Sequence, residues 1–98
     1  MGDRWESLSV PFEPTPGVYA LYQRGVLKYI GQSADCGQRL HHHRVQGRAW
    51  LEAKDGWETG VPFTARVMSM PDESDRRRWE QLLVSTLNPP CNEQGRSR

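Results

Sequence analysis

The chain is 98 residues long, 36% hydrophobic and 26% charged, with a formal net charge of +1. That length holds one domain with a modest core and leaves no room for a second module. A mean hydropathy of −0.80, with no apolar run near the ~20 residues of a membrane span, points to a soluble, polar-surfaced protein.

Residues 1–15 contain Pro11 and Pro14 and are expected as an extended lead-in, pinned to the body by Trp5, Val10 or Phe12. Asp3, Arg4 and Glu6 near the start argue against an export signal. Two short runs follow, 18–22 and 26–30, rich in aromatic and β-branched residues and separated by a turn containing Gly25, which predicts a hairpin. A two-residue loop of Arg24 and Gly25 would place Tyr19 opposite Ile30 and set Tyr19 and Tyr29 on opposite faces. A three-residue loop, 23–25, with Gly25 left-handed places Tyr19 directly across from Tyr29 on one face. The second register is the expected one.

A polar breaker at 31–35 then leads into a helix beginning at Cys36, with Arg39 and His43 on one face and a stop near Gly47. A short helix over 48–54 carries Trp50 and Leu51, with Trp50 read as core, and Trp57 follows in a polar loop. The alternation over 62–70 predicts a third strand entered at Pro62. Pro71-Asp72 offers a break and an N-cap, with Glu73 and Asp75 in the first turn. Trp79, Leu82, Leu83, Thr86 and Leu87 then recur as a core-facing stripe on a helix ending at Asn88-Pro89-Pro90. Glu80 sits next to that stripe, and 93–98 are expected to fray. The order β-β-α-(α)-β-α makes a single α/β (α+β) domain, a small three-stranded antiparallel sheet flanked by helices.

Cys36 and Cys91 are far apart in sequence and match no zinc pattern, so both are read as reduced thiols in a cytoplasmic protein. His41 and His42 are read as solvated helix surface. The small net charge hides blocks: −2 over residues 1–20, +4 over 21–48, −4 over 49–75 and +3 over 76–98. Arg39, Arg44 and Arg48, with part of 76–78, would line a basic cleft suited to a polyanion.

Taken together, Gly17-Val18-Tyr19, Tyr29-Ile30-Gly31, Arg39, His43, Glu80 in the distal helix and Asn92 just past Pro89-Pro90 form an ordered set. It resembles the GIY-YIG nuclease family over residues 16–92, with Val18 where the family usually has isoleucine. The resemblance implies a divalent-metal-dependent DNA endonuclease that leaves 5′-phosphate and 3′-hydroxyl ends. It implies Tyr19, Tyr29, Arg39, His43 and Glu80 as catalytic residues, Glu80 as the ligand of Mg²⁺ or Mn²⁺, and Gly31 and Asn92 as support. Lys28, Arg44, Arg48, Arg76 and Arg77 are candidate DNA contacts.

The residue chemistry is compatible with that implication. Arg39 is permanently cationic and presents a donor fork to phosphate. One carboxylate suffices for a Mg²⁺ that also takes waters and phosphate oxygens. Tyr19 is a weak base unless its proton passes on, and His43 could accept it in a relay from water through Tyr19, with Tyr29 orienting water or phosphate. The identity of the general base stays open. The other reading is a non-catalytic nucleic-acid-binding module, or a subunit active only as a transient dimer or within a larger assembly.

Overall fold

A computed structural model describes residues 6–7 and 15–92. The expected anchoring by Trp5, Val10 or Phe12 and the expected fraying of 93–98 lie outside the described residues. The elements run β1 (Glu6–Ser7), β2 (Gly17–Gln23), β3 (Val26–Ser33), α1 (Cys36–Arg44), α2 (Arg48–Glu52), β4 (Thr64–Ser69) and α3 (Glu73–Leu87). The sheet has the order β1-β4-β2-β3 and is antiparallel throughout. It is the small α+β architecture the pattern predicts, three long antiparallel strands with helices, extended beside β4 by the two-residue β1.

Central strand β2 is buried along nearly its whole length because both faces of the sheet are covered. On one face Tyr19, Leu21, Ala65 and Val67 pack against Cys36 and Leu40 of α1 and Leu51 of α2. On the other, Val18, Ala20, Ile30, Met68 and Met70 pack against Val84 of α3. The alternation in β2 and β4 thus divides two apolar layers rather than core from solvent.

The hairpin differs from its expected register. Gln23 pairs with Val26, so the loop is the two residues Arg24 and Gly25, both left-handed with φ of 55° and 78°, the primed turn that matches strand twist. That loop alone would have sent Tyr29 to the face opposite Tyr19. A bulge corrects this: Tyr22 faces Leu27 while Leu21 faces Tyr29, leaving Lys28 as the extra residue. Tyr19 therefore lies across from Gly31, and Tyr29 returns to the same face as Tyr19, diagonally displaced.

Tertiary bonds hold the bulge. Lys28 Nζ donates to Gly56 O at 2.6 Å and lies 3.5 Å from Glu58 Oε2, while Lys28 O accepts from Cys91 N at 2.9 Å. Lys28 is only 8% exposed, so this candidate DNA contact is instead a structural strut.

Both long helices are capped as their sequences suggest. Asp35 accepts from Gln38 N at the start of α1 and Asp72 accepts from Asp75 N at the start of α3. Asn88, left-handed, ends α3. The apolar stripe of α3 is not where it was expected: Trp79, Leu82 and Leu87 are exposed, and Arg76 and Val84 are the buried positions, with Leu83 partly buried against them. Arg76 turns the helix this way. Its guanidinium donates to Pro71 O at 2.7 Å, Met70 O at 3.3 Å and Gln32 Oε1 at 3.1 Å, closing the β4–α3 turn onto β3. Arg76 is therefore also removed from the candidate DNA contacts. Among the described residues, no helix is long and apolar enough to cross a membrane.

Candidate functional site

Edge strand β3 carries Gly31 at the point where the Tyr19 ring crosses it. A Cβ there would fall 2.5 Å from Tyr19 Cζ and 2.5 Å from its hydroxyl oxygen, far inside contact distance, so the absence of a side chain lets the phenol through. The result is a cleft of about 350 Å³ whose walls include Tyr19, Tyr29, Arg39, Arg77 and Glu80. Four elements meet here: β2 gives Tyr19, β3 gives Tyr29 and Gly31, α1 gives Arg39, and α3 gives Arg77 and Glu80. The bulge at Lys28 is what allows both phenols to face it, with ring centroids 6.2 Å apart.

Behind Tyr19 stands His43, one turn along α1 from Arg39. The Tyr19 hydroxyl lies 3.0 Å from His43 Nε2 in a buried hydrogen bond. When the imidazole is protonated on Nδ1 the hydroxyl donates to Nε2; in the other tautomer Nε2–H donates to the phenol oxygen. Burial pushes the Tyr19 hydroxyl well above the ordinary phenol range, with Tyr29 adding to this and nearby Arg39 opposing it. Burial also draws His43 down to about 4, helped by the charges of Arg39 and His42. Both groups are thus neutral at physiological pH. Tyr29 is raised too, by burial first and then by Glu80, so it remains a hydroxyl donor.

This has a consequence for folding that needs no substrate. Unfolded His43 binds a proton near pH 6.5, whereas the folded site resists it down to about pH 4. The unfolded chain therefore binds more protons in that window, and stability falls as pH drops from about 7 to about 4, by roughly 3 kcal/mol from this residue. Urea unfolding at pH 7 and pH 4.5 should show the loss, and His43→Gln should lose clearly less.

Among the described residues Glu80 is the one acidic wall of the cleft. Its carboxyl is shifted upward by partial burial, with Arg77 opposing, and among the described residues nothing hydrogen-bonds or ion-pairs with it. Arg77 instead pairs with Glu73 at 2.9 Å. The described residues hold no group of three or more His, Cys, Asp or Glu able to enclose a metal. A partly desolvated carboxylate without a protein partner fits a hard cation that shares its ligands among Glu80, water and a phosphate-bearing substrate. It does not fit a cation caged by protein alone.

The remaining candidates divide. Asn92 joins the edge of β3 through its side chain, Oδ1 accepting from Ile30 N at 2.8 Å and Nδ2 donating to Ile30 O at 2.8 Å. It thereby fixes the backbone between Tyr29 and Gly31. Arg44 lies over the Phe63 ring at 5.0 Å and Arg48 pairs with Glu52 at 3.3 Å. Both line a separate cleft of about 270 Å³ beside α2, so the expected single basic cleft is split, and among the described residues only Arg39 and Arg77 line the cleft of the tyrosines. Cys36 and Cys91 are buried and form no disulfide, and burial pushes the Cys36 thiol up to about 11, which keeps it protonated at neutral pH.

One neighbour of the site was misread from sequence. Trp50, expected in the core, is 46% exposed and stacks on His43 with centroids 5.4 Å apart and planes 12° from parallel. Adjacent helix residues face different ways, and Leu51 takes the core side of this short helix.

Comparison of the chain with models of known protein families, with characterised proteins and with solved structures finds no match.

Proposed function

We propose that this protein is a divalent-metal-dependent DNA endonuclease of the GIY-YIG type, acting in the cytoplasm and nicking one strand per site. The observation that carries the reading is the meeting of Tyr19, Tyr29, Arg39 and Glu80, from four separate elements, on one open cleft. Two neutral hydroxyls, a guanidinium and an unpaired carboxylate are groups that phosphodiester hydrolysis can use and that an ordinary hairpin surface has no reason to collect.

In this reading Arg39 binds the scissile phosphate and offsets the charge that develops on its oxygens. Tyr29 donates to a phosphate oxygen or to the attacking water. Tyr19 takes a proton from that water while passing its own to His43 Nε2, so no free phenolate forms. The low proton affinity of His43 keeps it unprotonated across neutral pH, so it takes the Tyr19 proton only in concert with transfer of the water proton to Tyr19. Glu80 holds Mg²⁺ or Mn²⁺, which when bound supplies Lewis-acid neutralisation of phosphate and leaving-group charge. The products are a 5′-phosphate and a 3′-hydroxyl.

The test is purified protein with Mg²⁺, Mn²⁺ or EDTA against supercoiled plasmid, linear duplex, single-stranded and branched DNA. Cation-dependent cleavage, with nicks preceding double-strand breaks, supports the reading. Binding without cleavage of any substrate would replace it with a non-catalytic nucleic-acid-binding module or a subunit completed by a partner.

A further inference from the structure

A histidine that moves protons is commonly aimed by a third group bonded to its other ring nitrogen. His43 is not: among the described residues its Nδ1 is buried and has no hydrogen-bond partner, while Nε2 meets Tyr19 at 3.0 Å. Something else must hold the ring plane. Tyr29 presents an edge to it, 76° from parallel at 6.3 Å, and Tyr19 is tilted by 55° at 5.8 Å. Among the described residues only Trp50 lies flat against it.

Trp50 is itself firmly placed. The next residue, Leu51, is 1% exposed in the core, α2 starts from a turn tied by Gly47 N to His42 O at 2.7 Å, and Lys54 Nζ sits 4.0 Å over the indole. The indole is about half wet, yet the imidazole beneath it is only 3% exposed. It also meets Tyr29 edge-on at 5.6 Å, 87° from parallel, so it braces two of the site's rings at once.

We infer that Trp50 is the positioning residue of this site: by stacking on His43 it fixes the imidazole plane and keeps water from it, aiming Nε2 at the Tyr19 hydroxyl. Stacking here takes the place of the hydrogen-bonded orienter. The inference rests on the nuclease reading for its catalytic meaning, and on the stacking geometry alone for its effect on His43. The charged and titratable groups that face His43 are Tyr19 from β2, Tyr29 from β3, and Arg39 and His42 from α1; His41 and Asp35 line a cleft with it, the Asp35 carboxylate engaged as the α1 cap by Gln38 N. Toward α2 the adjoining cleft carries Arg44, Arg48 and Glu52, the last two paired with each other. None of these is a carboxylate free to stabilise a charged imidazole, so excluding water is what keeps the ring neutral.

The experiment compares wild type with Trp50→Ala, Trp50→Leu and Trp50→Phe by side-chain NMR titration of His43 and by the pH–rate profile of plasmid nicking. Wild-type His43 is expected to titrate near 4. In the alanine and leucine variants the midpoint moves up by at least ~1 unit toward the free value. The acid limb of kcat moves with it, and kcat at neutral pH falls about ten-fold or more with KM little changed. Phenylalanine, which can stack, restores most of both. A His43 titration unmoved in Trp50→Ala overturns the inference. So does an acid limb that stays in place while His43 shifts, or a loss that appears wholly in KM. If wild type cleaves no DNA the nuclease reading fails by itself, and the titration still decides whether Trp50 controls His43.

Discussion

Glu80→Gln is expected to reduce cleavage by at least ~10²-fold while leaving DNA affinity unchanged or slightly higher. The amide keeps the size of the side chain and removes the only negative charge that the described residues place on the wall of the cleft. Because no described residue pairs with the carboxylate, the substitution strands no partner, and the fold should be unaffected. Removing charge near phosphate lessens repulsion, so binding and cleavage should move in opposite directions, which a general loss of folding cannot imitate. Affinity measured by fluorescence anisotropy without a divalent cation, beside cleavage with Mg²⁺, reads both. Cleavage near the wild-type rate would remove Glu80 from the proposed role and with it the case for the cation.

Gly31→Ala is expected to damage the site and the fold together. The added Cβ would stand 2.5 Å from both Cζ and the hydroxyl oxygen of Tyr19, and Tyr19 is 1% exposed, so the ring has nowhere to swing. Overpacking of this kind costs ~1–3 kcal/mol. The ring can only escape by pulling its hydroxyl from His43 Nε2, so cleavage should fall with stability, by ~10²-fold or more. Chemical denaturation and plasmid nicking measured together check it. A variant with wild-type stability and rate would mean that Tyr19 does not need its path across Gly31.

These two residues show what could be read in advance and what could not. The elements were legible because their signals are local: β-branched and aromatic runs around Gly25, the caps Asp35 and Asp72, and the stop at Asn88. The spacing of Arg39 and His43 was legible for the same reason, since one helical turn fixes a shared face. The bulge at Lys28 was not, because it is set by Gly56 O and Cys91 N, which lie far along the chain. Expecting Tyr19 and Tyr29 on one face was correct, but by way of the wrong loop. The docking face of α3 was misjudged because hydropathy favours Trp79 and Leu82, whereas the helix docks through Arg76, whose donors satisfy the carbonyls of the preceding turn. That rotation brings Glu80 to the tyrosines.

The measurement that bears most directly on the proposed site is the rate at which wild type and Tyr19→Phe nick supercoiled plasmid in Mg²⁺. The substitution deletes one buried oxygen, the one 3.0 Å from His43 Nε2, and leaves the ring that fills the core. The account predicts that wild type converts supercoiled to open-circular DNA and that Tyr19→Phe, folded and binding DNA normally, does so ~10²- to 10⁴-fold more slowly. Equal rates for the two proteins, or plasmid left supercoiled by wild type, would contradict it.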